Sequence, residues 1–324
     1  MDEVCPLLDL RMSDVVTVGE TMALMAPETT GALFHTPLLR LGIGGAESNV
    51  AIGLQRLGTS AAWVGRVGND SLGDLIVREL TAEGLRVHAV RDANAPTGLM
   101  IKERRTPLNQ RVWYYRSGSA GSRLRPGDLP TGLVESSRVL HISGITPALS
   151  TSAAGTVAEA VRAARASGTV VSFDVNYRRA LWSPETATAA CRELAAQADI
   201  VFAGEDEAAM LVGPGPAADL ARRLADLGAG QVVVKRGEQG CTAVIDDRLY
   251  DQPAISVTVV DTVGAGDAFV AGYLHQFLLG ADVPTRLLAA VRNAAFVCLS
   301  PGDWEGLPRD GDLALLTDAE AVQR

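Results

Sequence analysis

The sequence predicts an α/β protein, built as a parallel sheet with helices on both faces and a small β flap attached. Short β-branched runs ending in Gly or a polar residue recur along the chain, and Ala-rich helical stretches separate them. The flap is predicted by two segments, 33–42 and 97–115, that read as consecutive short strands with no helix between them.

In chain order, VVTVGETMALM (15–25) reads as one strand, 46–57 as a helix, AAWVGRVG (61–68) as a strand and 71–83 as a helix. This opening is βαβ-like. RVLHISG (138–144), VVSFDVN (170–176), DIVFAG (199–204) and QVVVKRG (231–237) are the later strands, with helices at 152–167, 184–197 and 217–227. Ligands of such sheets lie beyond the carboxyl ends of the strands. The second flap segment turns at RRTPLNQR, and a flap of this kind covers a site and excludes water. An ordinary surface hairpin is the alternative.

At 324 residues the chain is long enough for one large α/β domain or two unequal ones, and it shows no internal repeat or low-complexity linker. No apolar run approaches the roughly 18 residues that cross a bilayer, so no membrane association is expected. A net charge of −9 argues against a protein that coats nucleic acid, which needs clustered cations. The acidic N-terminus lacks the basic region of a secretion signal. Cys5, Cys191, Cys241 and Cys298 form no CxxC or Cys/His pairing, so a reducing cytoplasm is expected. Of 29 basic residues only Lys102 and Lys235 are lysines.

Two glycine clusters precede helices. DTVGAGD (261–267) leads into the apolar AFVAGYL, so the amides of Gly264, Ala265 and Gly266 would sit at a helix N-terminus, where anions bind. Asp267 then either caps the helix through its dipole or does chemistry beside the anion. LGIGGAESNVAIGLQRLG (41–58) places Gly44 and Gly45 before a helix, with Asn49 one turn in, where its amide suits sugar hydroxyls. A plain turn with Asn49 on a solvated face is the other reading. Trp63, Trp113, Trp182 and Trp304 have core-like spacing, and no histidine is assigned catalytic work.

Taken together, GGAESNVAIGLQRLG and DTVGAGDAFVAGYL resemble the N- and C-terminal signatures of the PfkB/ribokinase family of sugar kinases, in the same order and at similar separation. The resemblance implies a ribokinase-like three-layer α/β/α sandwich with a small β-sheet lid. It implies one kinase domain over 13–324, with lid strands from about 31–43 and 97–117 and residues 1–12 a disordered extension. It also implies ATP as donor with a divalent metal such as Mg2+, a monovalent cation such as K+ being open. Asp267 is then the general base, and Gly264, Ala265 and Gly266 are the anion hole. No GxxxxGK[ST] is present, so the phosphate site is not a Walker loop.

PTGLMIKERR, VWYYRSGSAGSRL, HISGITPALS, SFDVNYRRALW and SPGDWEG resemble 2-keto-3-deoxygluconate kinases within that family. By that resemblance Gly44, Gly45, Tyr114, Arg116, Arg178 and Asp303 contact a sugar acid, beside the amide of Asn49, and an arginine suits its carboxylate. Met100 stands where the subgroup often has tyrosine. KRGEQG (235–240) resembles the ATP loop, which assigns Lys235, Gly237 and Gly240 to the nucleotide; a plain turn is the alternative. Asn176 and Arg178 are expected to bridge nucleotide and substrate, and Asn293 to touch adenine. The family's metal-associated N-x-x-E appears as Gly204-Glu205-Asp206-Glu207, leaving Glu207 as the metal-side residue. The expected activity is ATP-dependent phosphorylation of the sugar acid's terminal hydroxyl. The alternatives are a fructose, ribose or nucleoside kinase of the same family, or a non-catalytic sugar-binding regulator. Neither glycine cluster reads as GxGxxG, which disfavours a Rossmann dehydrogenase. The open edge of the lid gives an expectation of a homo-oligomer.

Overall fold

The computed structural model describes residues 13–36, 38–106 and 109–316, so the expected N-terminal extension lies outside the described residues. The first half of the chain forms β1 (Val15–Val18), β2 (Met22–Pro27), β3 (Leu39–Gly44), α1 (Ala46–Arg56), β4 (Ala61–Gly68), α2 (Ser71–Ala82), β5 (Arg86–Asp92), β6 (Leu99–Thr106) and β7 (Asn109–Tyr115). Then come β8 (Val139–Ser143), α3 (Thr151–Ser167), β9 (Val170–Asp174), α4 (Pro184–Ala195), β10 (Ile200–Gly204), α5 (Glu205–Val212), α6 (Ala217–Ala225) and β11 (Gln231–Lys235). The chain closes with β12 (Cys241–Ile245), β13 (Arg248–Gln252), α7 (Ala265–Leu278) and α8 (Val283–Val297).

Nine strands form the main sheet in the order β13-β12-β11-β10-β9-β8-β1-β4-β5. From β11 to β5 neighbouring strands run parallel, while β12 and β13 add an antiparallel edge. Side chains alternate across a strand, and this alternation divides the core in two. Val15, Trp63, Val139, Ile200 and Val233 pack with α1, α2, α7 and α8, whereas Val16, Val64, Leu140, Val201 and Val232 pack with α3 to α6. The result is the expected three layers. Among the described residues no helix is long and apolar enough to cross a membrane.

The lid is a separate sheet ordered β3-β2-β6-β7. Register puts Gly42, Leu24, Met100 and Tyr114 in one row across it. Leu24 and Met100 are buried on the inner face, while Leu41 and Trp113, in the next row, are exposed on the outer face.

Three sequence expectations change. The strand expected over 15–25 is two, because the chain leaves the main sheet at Gly19, where the Glu47 carboxyl fills the space a side chain would need. Glu20 then turns inward to an arginine of the lid, and β-branched composition cannot register such a break. The expected lid segment 33–42 carries a strand only from Leu39, residues Leu33–His35 forming a single 3-10 turn. The elements β5, α5, β12 and β13 were not anticipated; β12 and β13 form a hairpin whose short runs carry several polar residues.

Candidate active site

Two helices meet where the glycine clusters lie. On α1, Gly53 has no side chain; a Cβ there would come within 2.8 Å of the Ala271 methyl on α7, so the helices pack nearly backbone to backbone. One turn earlier on each helix, this approach brings Asn49 Nδ2 within 2.8 Å of Asp267 Oδ2, to which it donates. Asn49 Oδ1 is buried without a protein partner, which leaves an acceptor for a ligand hydroxyl.

The turn before α7 depends on Gly264. Its φ of +77° is left-handed, and a Cβ would overlap the carbonyl oxygen of Asp303, so only glycine fits. First-turn amides have no intrahelical carbonyl to bond. Among them, Ala265 N donates to Thr262 O at a long 3.3 Å. Asp267 itself is half-buried. Desolvation pushes its carboxyl up to about 7; the Asn49 hydrogen bond opposes this, Asp174 adds to it, and Arg178 and Lys235 oppose it. A carboxylate with that pKa is suited to take a proton near neutrality.

Under the lid lie the residues expected to hold a sugar acid. Gly44 ends β3 and Gly45 caps α1, with the Glu20 carbonyl behind Gly45. Met100 is buried with its methyl against Gly44. Arg116 is buried too, donating from Nε and Nη2 to Glu20 Oε2 at 2.8 and 2.6 Å; Ser119 Oγ donates to the other Glu20 oxygen. Its Nη1 makes no hydrogen bond among the described residues, and its guanidinium lies 5.8 Å from the Tyr114 ring. Tyr114 is exposed on the inner lid face. Asp303 is buried and ion-paired to Lys102 of the lid. A cavity of about 320 Å3 lies beside this pair, lined by Leu24, Arg40, Lys102, Arg104, Asp261 and Glu305 among others.

At the carboxyl ends of β9, β10 and β11 sit Asp174, Gly204 and Lys235. Lys235 Nζ donates to both oxygens of Asp174 at 2.8 Å, and Gly266 lies beside it. Burial pushes the Lys235 ammonium down, but Asp174, Glu207 and Asp267 outweigh it and hold the pKa above its ordinary value. Gly237 and Gly240 shape the turn between β11 and β12 with φ of +55° and +90°. Asn176 follows β9 with φ of +38° and is buried, while Arg178 is exposed and close enough to Asp267 to favour its ionised form. Glu207 Oε2 accepts from Gly204 N at 2.6 Å and Oε1 from Tyr177 N at 2.8 Å, so backbone amides hold the carboxylate without an amide side chain at 204. Each oxygen keeps a lone pair. That fits a hydrated Mg2+, which retains several waters; among the described residues no cluster of three or more acids, cysteines or histidines is arranged to hold a metal alone.

Asn293 is buried between α7 and α8, donating to Ala289 O and covering Gly272, so its amide serves helix packing. Sequence reasoning missed Glu20, Lys102 and Asp174 as parts of the site. The scarcity of lysine was a usable signal, since both lysines hold buried carboxylates.

A carboxylate of raised pKa at a helix N-terminus, a lysine at a strand end and a lid over a polar cradle fit an α/β phosphotransferase with a small hydroxylated acceptor. The chain belongs to the pfkB carbohydrate kinases: the pattern of the pfkB family carbohydrate kinase matches residues 12–310. It is therefore an ATP-dependent carbohydrate kinase, of a family that uses a divalent metal. It is 36% identical to the 2-dehydro-3-deoxygalactonokinase of Haloferax volcanii, over 94% of this chain and 99% of that one. It is also 36% identical to the 2-dehydro-3-deoxygluconokinase of Bacillus subtilis, over 95% and 96%. A crystal structure of a PfkB protein from Polaromonas sp. JS666 superposes with a TM-score of 0.85 at 34% identity, covering 95% of this chain and all of that one.

Proposed function

We propose that the protein phosphorylates 2-keto-3-deoxygluconate, also called 2-dehydro-3-deoxygluconate, at its terminal hydroxyl to give the 6-phosphate. The observation that carries the choice of an acid is Arg116: a buried guanidinium whose Nε and Nη2 are fixed by Glu20 while Nη1 stays free for a substrate carboxylate. The names of the two relatives support the same substrate class.

In this reading the sugar lies against the Gly44 and Gly45 backbone, with Asn49 Oδ1 and Asp303 as acceptors for its hydroxyls. Asp267 takes the proton of the terminal hydroxyl as its oxygen bonds to the γ-phosphorus, and the bond to the ADP oxygen breaks with its electron pair. The amides at the start of α7 and Lys235 face the charge on the transferred group. Glu207 would help to hold Mg2+, which when bound would neutralise charge on the nucleotide. The closed lid excludes water that would otherwise compete as acceptor.

A second reading, the C4 epimer 2-keto-3-deoxygalactonate, is favoured equally by the Haloferax relative. ADP-release kinetics on both epimers, gluconate, fructose and ribose test the proposal. A keto-deoxy acid should have the highest kcat/KM. Preference for a neutral sugar, or sugar binding without ADP release, would overturn it.

A further inference from the structure

We propose that Lys102 is a positioning residue for sugar recognition: it holds one oxygen of Asp303 so that the other faces the Gly44 backbone as an acceptor for a sugar hydroxyl. This rests on the sugar site proposed above. Lys102 lies two residues beyond Met100, on the same inner face of the lid strand β6. It is 4% exposed and Asp303 6%. Its Nζ donates to Asp303 Oδ1, while Oδ2 occupies the space a Cβ would need at Gly44. The backbone of the same aspartate backs onto Gly264, so its carboxylate cannot move far without disturbing the anion-binding turn.

The residue type supports the role. This chain uses arginine at all but two of 29 basic positions, yet has lysine here. A guanidinium would fork across both carboxylate oxygens and use up the one turned toward Gly44, whereas the Lys102 ammonium, a point charge on a flexible stem, bonds Oδ1 alone here. Among the described residues no other cation is paired with Asp303. Burial raises its pKa and Lys102 opposes that, while the facing acids Glu305 and Asp261 raise it further. The nearby Arg40 is paired with Glu305. Lys102 is thus the one neighbouring charge among the described residues that favours the carboxylate form of Asp303.

The test is steady-state kinetics of wild type, Lys102→Met, Lys102→Arg, Asp303→Asn and the double variant Lys102→Met with Asp303→Asn, between about pH 6 and 9. With methionine, KM for the sugar should rise about tenfold near neutrality, the effect of losing one hydrogen bond to a charged group. KM for ATP should stay within about twofold, and the sugar defect should shrink as pH rises and Asp303 regains its charge. Arginine should raise the sugar KM without that pH dependence, and methionine should add nothing in the Asp303→Asn background. A methionine or arginine variant with the wild-type sugar KM, or a methionine defect unchanged in that background, would overturn the proposal. Should the methionine variant not fold, Asp303→Asn alone must raise the sugar KM about tenfold with a flat pH profile, and a wild-type KM there overturns it equally. A wild type that phosphorylates no sugar acid refutes the proposed substrate instead, and the variants can then be assayed on whichever sugar it does accept.

Discussion

Replacing Asp267 by asparagine should destroy turnover and stabilise the protein in the same stroke. In the unfolded chain the carboxyl ionises near its model value of 3.8, and in the fold at about 7. The folded protein binds this proton more tightly, so the group's contribution to stability is full below pH about 4 and is lost as pH rises through about 7. The gap is roughly 3 pH units, an upper bound near 4 kcal/mol. Asp267 is only half-buried, and allowing for solvent screening leaves about 2 kcal/mol. Asparagine keeps an oxygen for Asn49 Nδ2 and never ionises, so it escapes the penalty. Ligand-free thermal unfolding should give Asp267→Asn a Tm about 4 °C above wild type at pH 8, the excess shrinking as pH falls and vanishing only below pH about 4. In a coupled ADP assay its kcat should fall about 10²- to 10⁴-fold, while wild-type kcat/KM should rise with one ionisation to a plateau above pH about 7. An equal Tm difference at high and low pH would refute the electrostatic argument; turnover at the wild-type rate would refute the role of Asp267.

Gly264→Ala should lower kcat about a hundredfold and reduce Tm, because a Cβ would meet the Asp303 carbonyl and the left-handed backbone disfavours it; activity and unfolding measured together check this. Arg116→Met should raise KM for the sugar acid about a hundredfold while leaving KM for ATP nearly unchanged, and should narrow the preference for acids over neutral sugars in the substrate panel; an unchanged preference would show that the carboxylate is held elsewhere.

Much of the fold was legible because its signals are local. β4 runs from Ala61 to Gly68, as its apolar run announced, and α1 starts where GGAESN places a turn before an apolar period. Elements that depend on distant partners were not legible. The break after β1 exists because Glu47 fills the space beside Gly19 and Glu20 pairs with Arg116, 96 residues away in sequence. The site followed the same division. DTVGAGD and GGAESN declared themselves by composition, but the partners of Asp303 and Asp174 come from strands far along the chain. Asn293, a polar residue on the helix after α7, has its amide committed to a close helix crossing, a use that composition alone does not announce.

The pattern of partners explains why one carboxylate, among several, is suited to be the base. Asp174 is ion-paired to Lys235, Asp303 to Lys102 and Glu20 to Arg116, so each of these carboxylates already has a cation as its partner. Glu207 is occupied by two backbone amides. Glu47 is ion-paired with no cation among the described residues, and burial raises its pKa against the Ser143 and Thr146 hydroxyls and the charge of Arg116, but it is sealed from any ligand at 1% exposure. Asp267 combines the two properties the others lack together: its protein hydrogen bond comes from a neutral amide, so desolvation can lift its pKa toward neutrality, and it opens onto the amides that start α7. Lys235, nearby, draws the charge of a phosphoryl group toward the same turn while its pairing with Asp174 keeps it from quenching the base. Adding a cation beside Asp267, for instance through Asn49→Lys, should therefore lower the pH midpoint of kcat/KM along with the rate at its plateau, since a weaker base accepts the proton less readily.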